Sequence, residues 1–311
     1  MTNNDVFQGS ARHTPAAAPP AGESAGRRWL RRLRVPVLIV AMLLVTSGAR
    51  GLNDLVVHNT ILALVVGFGT ALAALAAYIW LSRTVEGRQA VPELSAAGRW
   101  SGLAFGALIG FMAFTVTMGF ISVFGGVHHI STGSFTGFLV GFAAMASVAV
   151  NEELLFRGVV FRIAEERFGT WIGLVIACLV FGLAHLVNGG DLMGAISVGI
   201  QGGVVLTAAY IVTGNLWLAI GFHFAWDVTE GSIFSVANSG THDEPIGLLH
   251  TTLSGSSALT GGSFGPEGGL VAPVVCLVVA FVMLRRAARM GNIRPRPRSR
   301  PEVSAPGDAG K

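Results

Sequence analysis

The chain has 311 residues, of which 52% are hydrophobic and only 12% charged, and its mean hydropathy is +0.63. A soluble domain carries about 25% charged residues, so the composition excludes an ordinary soluble protein and indicates a membrane protein with several spans. The net charge of +4 and the pI near 9.8 do not indicate a nucleic-acid partner. The basic residues cluster at the ends of apolar segments, as they do in oriented membrane proteins.

The two ends of the chain differ in composition from its apolar middle. Residues 1–34 are rich in Ala, Pro, Gly and Ser and end in an Arg-rich run, which predicts a disordered basic N-terminal tail. Residues 286–311 are basic and Pro-rich, which predicts a disordered C-terminal tail against anionic headgroups. Between the tails, we expect N-terminal transmembrane helices over 35–134 and a second helix bundle over 135–285.

The apolar segments predict an all-α, polytopic transmembrane bundle of about eight spans. Basic residues flank alternate ends of these segments, so the positive-inside rule places both termini in the cytoplasm. The chain has one Lys among many Arg residues, which is typical of a GC-rich genome, so we expect a multi-pass protein of a bacterial inner membrane. The predicted spans are 35–52, 59–82, 102–124, 135–157, 171–188, 192–213, 215–235 and 268–285.

Ionisable residues inside spans need a reason, because each costs about 2.5–3.5 kcal/mol at mid-depth on insertion scales. The first such cluster is Asn151-Glu152-Glu153 followed by Arg157. In a helix, Glu153 and Arg157 lie on one face and can pair, whereas Glu152 points about 100° away. An unpaired carboxylate in an apolar pocket suits a general base. A charged collar at the cytoplasmic end of the span remains the alternative explanation.

Two further clusters contain histidines in later spans. His185 ends the run Phe181-Gly-Leu-Ala-His185, where a lone His is also compatible with a satisfied core residue. His223 and Asp227 are four residues apart and therefore face the same way on one helix. Two ionisable groups on one face of an apolar helix indicate a functional site, although a hydrogen bond that only braces the fold remains open.

Several other chemistries lack their signatures in this sequence. There is no HExxH motif for a zinc protease and no GxSxG motif for a serine hydrolase. The glycines at 261–269 lack the GK[ST] ending of a phosphate-binding loop, so we expect a capping or re-entrant loop there. Cys178 and Cys276 lie in apolar runs without metal-ligand spacing, which predicts small core residues.

The three clusters together resemble the CPBP family, the type-II CAAX prenyl endopeptidases and their bacterial relatives, also called Abi proteins. The family pattern is EExxxR, FxxxH and HxxxN or HxxxD on separate helices. Here it stands as Glu152-Glu153-x-x-x-Arg157, Phe181-x-x-x-His185 and His223-x-x-x-Asp227. The run 215–221 and the loop 261–267 also resemble the family, so the resemblance covers about 135–285 and predicts that this region is the catalytic bundle.

The resemblance implies an intramembrane endopeptidase that hydrolyses a peptide bond with a glutamate-activated water. Glu152 would activate the water and His185 would help to hold it, while His223 and Asp227 would stabilise the oxyanion. Glu153 and Arg157 would organise the site. No cofactor is implied, and the expected partners are a membrane-associated peptide or protein substrate and the lipid bilayer.

Asp227 departs from the better-understood members of the family, which carry Asn at this position. An ionised carboxylate repels an oxyanion, whereas Asn donates to it. Three alternatives stay open: Asp227 is protonated, it orients a cationic His223, or the protein cleaves poorly or not at all.

Other functions also remain open at the level of sequence. Two Glu, two His and an Asp are possible Zn²⁺ ligands, so a zinc-dependent protease is one alternative. A transporter is a second alternative, because carboxylate and His chains also relay protons, although no inverted repeat is visible. A non-catalytic membrane scaffold or immunity protein on the same fold is the third.

Overall fold

The computed structural model of the protein describes residues 33–186, 192–240 and 245–296. The predicted N-terminal tail therefore lies outside the described residues except for its last two, and α1 begins at Arg34. Within these ranges almost every long element is a helix. The elements, in chain order, are α1 Arg34–Val56, α2 Thr60–Thr84, α3 Arg99–Val123, β1 Val127–Thr132, α4 Phe135–Phe168, α5 Thr170–Leu186, α6 Leu192–Thr213, α7 Trp217–Asp227, β2 Leu249–Leu253, α8 Ser257–Thr260 and α9 Val271–Arg289.

Three helices contain or continue into π-helical segments, in which backbone hydrogen bonds join residues five apart instead of four apart. The segment Leu154–Phe161 lies inside α4, and Gly199–Leu206 lies inside α6. A third segment, Val228–Phe234, continues α7. Segments of this kind are rare and often occur at functional sites.

The chain is an all-α, multi-pass membrane protein, as the sequence predicts. Among the described residues, six helices are long and apolar enough to cross a membrane: α1, α2, α3, α4, α6 and α9. The other two predicted spans are also helical but do not meet that criterion. They are α5, with 17 residues, and α7, which has 11 residues before its π-helical continuation. By length and apolarity, the described residues thus contain six of the about eight predicted spans.

Local sequence signals explain several helix ends. Asn59 accepts a hydrogen bond from the Leu62 amide and caps α2, and Ser134 does the same for the Gly137 amide at the start of α4. Gly214 ends α6 in the left-handed conformation that glycine adopts readily.

A small antiparallel sheet closes one end of the bundle, and the sequence analysis did not predict it. β1 pairs with β2 in a register that places Ile130 opposite Thr251 and Thr132 opposite Leu249. Next to it, the Ser134 amide donates to the Gly247 carbonyl at 2.5 Å. We call this the sheet end of the bundle, and it comprises the sheet and the connections 57–59, 235–240 and 245–248.

The opposite end of the bundle carries most of the described arginines, and we call it the arginine end. It comprises the start of α1, the connections α2–α3 and α4–α5, and the end of α9. Glu86 and Glu166 bind arginines there that belong to different elements. The ion pairs are Arg162–Glu86 at 2.7 Å, Arg162–Glu166 at 2.9 Å, Arg34–Glu166 at 3.4 Å and Arg88–Glu86 at 3.6 Å.

The first part of the predicted disordered tail 286–311 is ordered instead. α9 continues to Arg289, and Asn292 donates to the carbonyls of Ile211 and Val212 at 3.1 Å each. The Arg294 amide donates to the Thr170 hydroxyl at 2.8 Å. These contacts satisfy polar groups at the ends of α6 and α5, which composition alone does not reveal. Residues 297–311 lie outside the described residues.

Candidate functional site

The first motif lies in the middle of α4, where the helix changes from α to π. Glu153 is the last residue of the α-helical part, and Arg157 lies in the π segment. The Arg157 Nη1 atom donates to Glu153 Oε1 at 2.7 Å, and both side chains are fully buried. The predicted pairing of these two residues is therefore present in the structure.

Arg157 also contacts the next part of the bundle. Its Nη2 atom donates to the carbonyl of Gly202, which lies in the π segment of α6. Its guanidinium lies over the Phe181 ring, 4.7 Å from the centroid. Arg157 thus joins α4, α5 and α6 at one point, and a buried cation with these partners fixes their relative positions.

Glu152 has a different environment from its neighbour Glu153. Its side chain keeps 22% of its surface exposed, and its Oε2 atom lies 3.9 Å from His223 Nε2. Arg157 pairs with Glu153 instead. The carboxylate of Glu152 is thus left facing a cavity, as the helical spacing predicts.

His223 occupies the centre of the site, on α7. Its Nδ1 atom donates to Glu153 Oε1 at 2.9 Å, the same oxygen that receives Arg157. Its Nε2 atom lies 3.3 Å from Asp227 Oδ2. This distance is short enough for the imidazole and the carboxyl group to share a proton. The predicted His–Asp pair on one helix face is present.

His185 lies at the end of α5 beside the same cavity. Its Nδ1 atom is 2.8 Å from the Phe181 carbonyl, which can only accept, so Nδ1 carries the proton. Nε2 of the neutral ring is then an acceptor. The Phe181 ring lies against both histidines, with centroid distances of 4.6 Å to His185 and 6.4 Å to His223. The spacing of the FxxxH motif thus places one aromatic ring against both histidines.

The six predicted site residues surround or adjoin one cavity of about 930 Å³. Glu152, His185, His223 and Asp227 line it directly, whereas Glu153 and Arg157 lie behind its wall. The cavity continues from this floor along α4 and along the second half of α1. Its α1 wall consists of Thr46, Ala49, Arg50, Asn53, Asp54, Val57 and His58.

The sequence analysis missed a further polar group in this cavity, Glu267, which lies in a short 3₁₀ turn before α9. Its carboxylate accepts from Trp226 Nε1 at 2.7 Å and from the Ser239 hydroxyl. Its backbone carbonyl accepts from Ser197 and Gln201, both at 2.6 Å. The sequence signal for this group is Glu267 itself, an acidic residue in the glycine-rich loop 261–267.

The polar residues of the site do not form a metal centre as they stand. Among the described residues, no group of three or more His, Cys, Asp or Glu side chains is placed to hold a metal ion. Glu153 Oε1 is occupied by two donors, Arg157 and His223, so this oxygen does not suit a ligand role. Glu153 is therefore committed to these two donors, and no step is derived through a metal.

One comparison with known proteins matches a family model over part of the chain. Residues 132–229 match the family model described as type II CAAX prenyl endopeptidase Rce1-like. This range contains all three motifs, so the resemblance to the CPBP family is confirmed over this segment, and the family is one of proteases. No curated protein and no solved structure matches the chain.

Proposed function

We propose that this protein is an intramembrane endopeptidase that hydrolyses a peptide bond with a water activated by Glu152. The observation that carries the proposal is the different environment of two adjacent carboxylates. Glu153 is fully buried and bound by Arg157 and His223, whereas Glu152 is partly exposed to the cavity. Two titratable groups held in different environments are typical of acid–base catalysis.

The attacking water would lie between Glu152 and His185. Glu152 would accept a proton from the water as it attacks the carbonyl carbon, and the same carboxyl would then return the proton to the leaving amine. Nε2 of neutral His185 would accept a hydrogen bond from the water and orient it, because Nδ1 is held by the Phe181 carbonyl. This route needs no covalent intermediate.

The oxyanion of the tetrahedral intermediate would be stabilised by the His223–Asp227 pair. A proton shared between Nε2 and Oδ2 would be available to a third oxygen placed beside them. Glu153 holds the Nδ1 side of His223 and so fixes the ring. Arg157 neutralises Glu153, so that a buried carboxylate is tolerated at this depth.

The proposed partners follow from the site and its surroundings. We propose a membrane-associated peptide or protein substrate, with the lipid bilayer around the protein, and no nucleic acid. We propose no cofactor, with the zinc-dependent protease kept as the alternative. We also propose that the protein resides in a bacterial cell membrane.

The experiment that tests the proposal is a cleavage assay with purified protein in detergent or liposomes. The substrates are a prenylated CaaX-type reporter peptide and a panel of membrane-protein tails. Wild type is compared with Glu152→Gln and with the matched control Glu166→Gln, which changes a half-exposed glutamate on the same helix outside the cavity. Each protein is assayed with and without a metal chelator.

The proposed function predicts cleavage by wild type and by Glu166→Gln, loss of cleavage in Glu152→Gln, and no effect of the chelator. Loss of wild-type cleavage in the chelator would instead support the zinc-dependent protease. A folded wild type that cleaves nothing, together with a cellular phenotype that survives Glu152→Ala, would support the scaffold or immunity function.

A further inference from the structure

We infer that the catalytic cavity takes its substrate from the non-cytoplasmic side of the membrane. The substrate class is then a polypeptide that is exported or exposed on that side, not a cytoplasmic tail. This inference rests on the proposed function for the cleavage step, but the sidedness of the cavity is a property of the fold alone.

The first step is the orientation of the bundle. The described arginines gather at the arginine end, where ion pairs join Arg34, Arg88 and Arg162 from three different elements. Among the described residues, Arg50 is the only Lys or Arg at the opposite end of the spans. Lys and Arg are retained on the cytoplasmic side, so the arginine end faces the cytoplasm.

The second step is that packed side chains close the site toward the arginine end. Tyr78 donates to the Gly158 carbonyl at 2.8 Å, one turn beyond the site on α4, and lies 2.5 Å from Glu93 Oε1. Arg88 binds both oxygens of Glu93 at 2.6 Å. Fully or almost fully buried side chains fill this layer: Tyr78, Glu93, Leu154, Val159, Phe161, Tyr210 and Leu216.

The third step is that the cavity extends the other way, toward the sheet end. From the site it follows α4 from Glu152 back to Val140 and is bordered by Ser239 and Pro245. Its exposed lining residues lie at the last turns of α1, at Arg50 and beyond. The floor is thus buried, and the rim is at the non-cytoplasmic end.

The residues at the rim also indicate which class of substrate enters the cavity. Arg50, Asn53, Asp54 and His58 place both charges and neutral polar groups on one side of the opening. A wall of this kind suits the backbone and mixed side chains of a polypeptide better than a hydrocarbon chain, which gains nothing from polar contacts. A polypeptide segment entering from outside would reach Glu152 at the cavity floor.

The test measures access to the cavity without relying on catalysis. Single cysteines are introduced by His58→Cys at the rim, Ala144→Cys on the cavity wall and Arg289→Cys at the arginine end, in a Cys178→Ala, Cys276→Ala background. Intact bacterial cells that express each variant are treated with a membrane-impermeant maleimide, before and after permeabilisation.

We expect His58→Cys and Ala144→Cys to label to the same extent before and after permeabilisation, and Arg289→Cys to label only afterwards. Labelling of Ala144→Cys only after permeabilisation, or not at all, would overturn the inference. Since labelling needs no cleavage, a protein that labels as expected but never cleaves would refute the proposed function alone.

A second arm connects access with the reaction. Water-soluble fluorogenic peptides that do not cross the bilayer are added to right-side-out and to inside-out vesicles that contain wild type or Glu152→Gln. Glu152-dependent cleavage confined to right-side-out vesicles supports the inference, whereas cleavage confined to inside-out vesicles contradicts it.

Discussion

At the scale of single residues, the fold places two adjacent carboxylates, Glu152 and Glu153, in different environments. Glu153 Oε1 receives Arg157 and His223, so this carboxylate is committed to structure. Glu152 is one position earlier on the same helix and faces the cavity. Sequence spacing predicted the Glu153–Arg157 pair, because a helix places residues four apart on one face. The contact of Glu153 with His223 joins two helices and could not be read from local spacing.

In the proposed mechanism, Asp227 determines which group donates to the oxyanion. We expect Asp227→Asn to keep cleavage within about tenfold of wild type, because Asn keeps the shape and still supplies a donor beside His223. We expect Asp227→Leu to lose about 100-fold or more, as removal of an oxyanion donor does. Steady-state cleavage rates of the two variants check both expectations.

If Asp227→Asn is as inactive as Asp227→Leu, the charge of the carboxylate matters more than a donor at this position. Asp227 would then act by orienting a cationic His223. A thermal unfolding midpoint like that of wild type is the control that separates this outcome from loss of folding.

At the scale of elements, close helix contacts hold α7 and its two site residues in place. A Cβ atom at Gly106 would overlap the Leu218 carbonyl oxygen, and one at Gly110 would overlap the Phe222 carbonyl oxygen. Gly221 faces the backbone of Leu103 in the same way. Small residues at such positions let membrane helices approach closely. The abundance of glycine predicted close packing, but not which two helices approach.

The α3–α7 contact predicts a difference between two glycines of the same helix. Gly110→Ala should lower the free energy of unfolding by about 1–3 kcal/mol, because overpacking forces α3 and α7 apart. Gly119→Ala is the matched control, since a Cβ atom there meets nothing within 4 Å. Thermal unfolding in detergent measures both variants, and equal midpoints would show that this contact is not tight in solution.

The three π-helical segments are features that the apolar periodicity of the sequence does not predict. Each of the three lies next to a site group: Leu154–Phe161 follows Glu153, Gly199–Leu206 presents the carbonyl that binds Arg157, and Val228–Phe234 follows Asp227. Apolar periodicity predicted helices at these positions, and helices are present. Apolar periodicity predicts a helix but does not distinguish an α-helical turn from the wider π-helical turn.

At the scale of the whole molecule, a buried ionic network holds the arginine end together. Glu93, in the connection between α2 and α3, binds Arg88 through both oxygens and lies 3.7 Å from Arg162. Burial alone would raise the pKa of Glu93, but the hydrogen bonds and charge of Arg88 and the charge of Arg162 lower this pKa below its ordinary value. The sequence predicts charged connections on this side of the membrane. Which charged residues pair with each other is visible only in the folded structure.

The lowered pKa of Glu93 predicts acid sensitivity. A carboxylate of this kind contributes stability above its unfolded pKa, and the contribution is lost as pH falls through the folded value. The ordinary pKa of a Glu side chain is 4.5. We therefore expect that, as the pH is lowered below 4.5, the thermal unfolding midpoint of wild type decreases more steeply than that of Glu93→Gln. Glu166→Gln, which removes a more exposed carboxylate at the same end of the bundle, serves as the comparison. Parallel curves for wild type and Glu93→Gln would contradict this role of the network.

The most direct measurement of the central claim is the separation of kcat and KM in Glu152→Gln. Gln keeps the size of the side chain but cannot accept a proton from water, so the account predicts a fall in kcat of about 100- to 10,000-fold. KM and the unfolding midpoint should stay close to wild type, because the change affects only the transition state. An unchanged kcat with a raised KM would contradict the claim, since Glu152 would then bind the substrate without activating water.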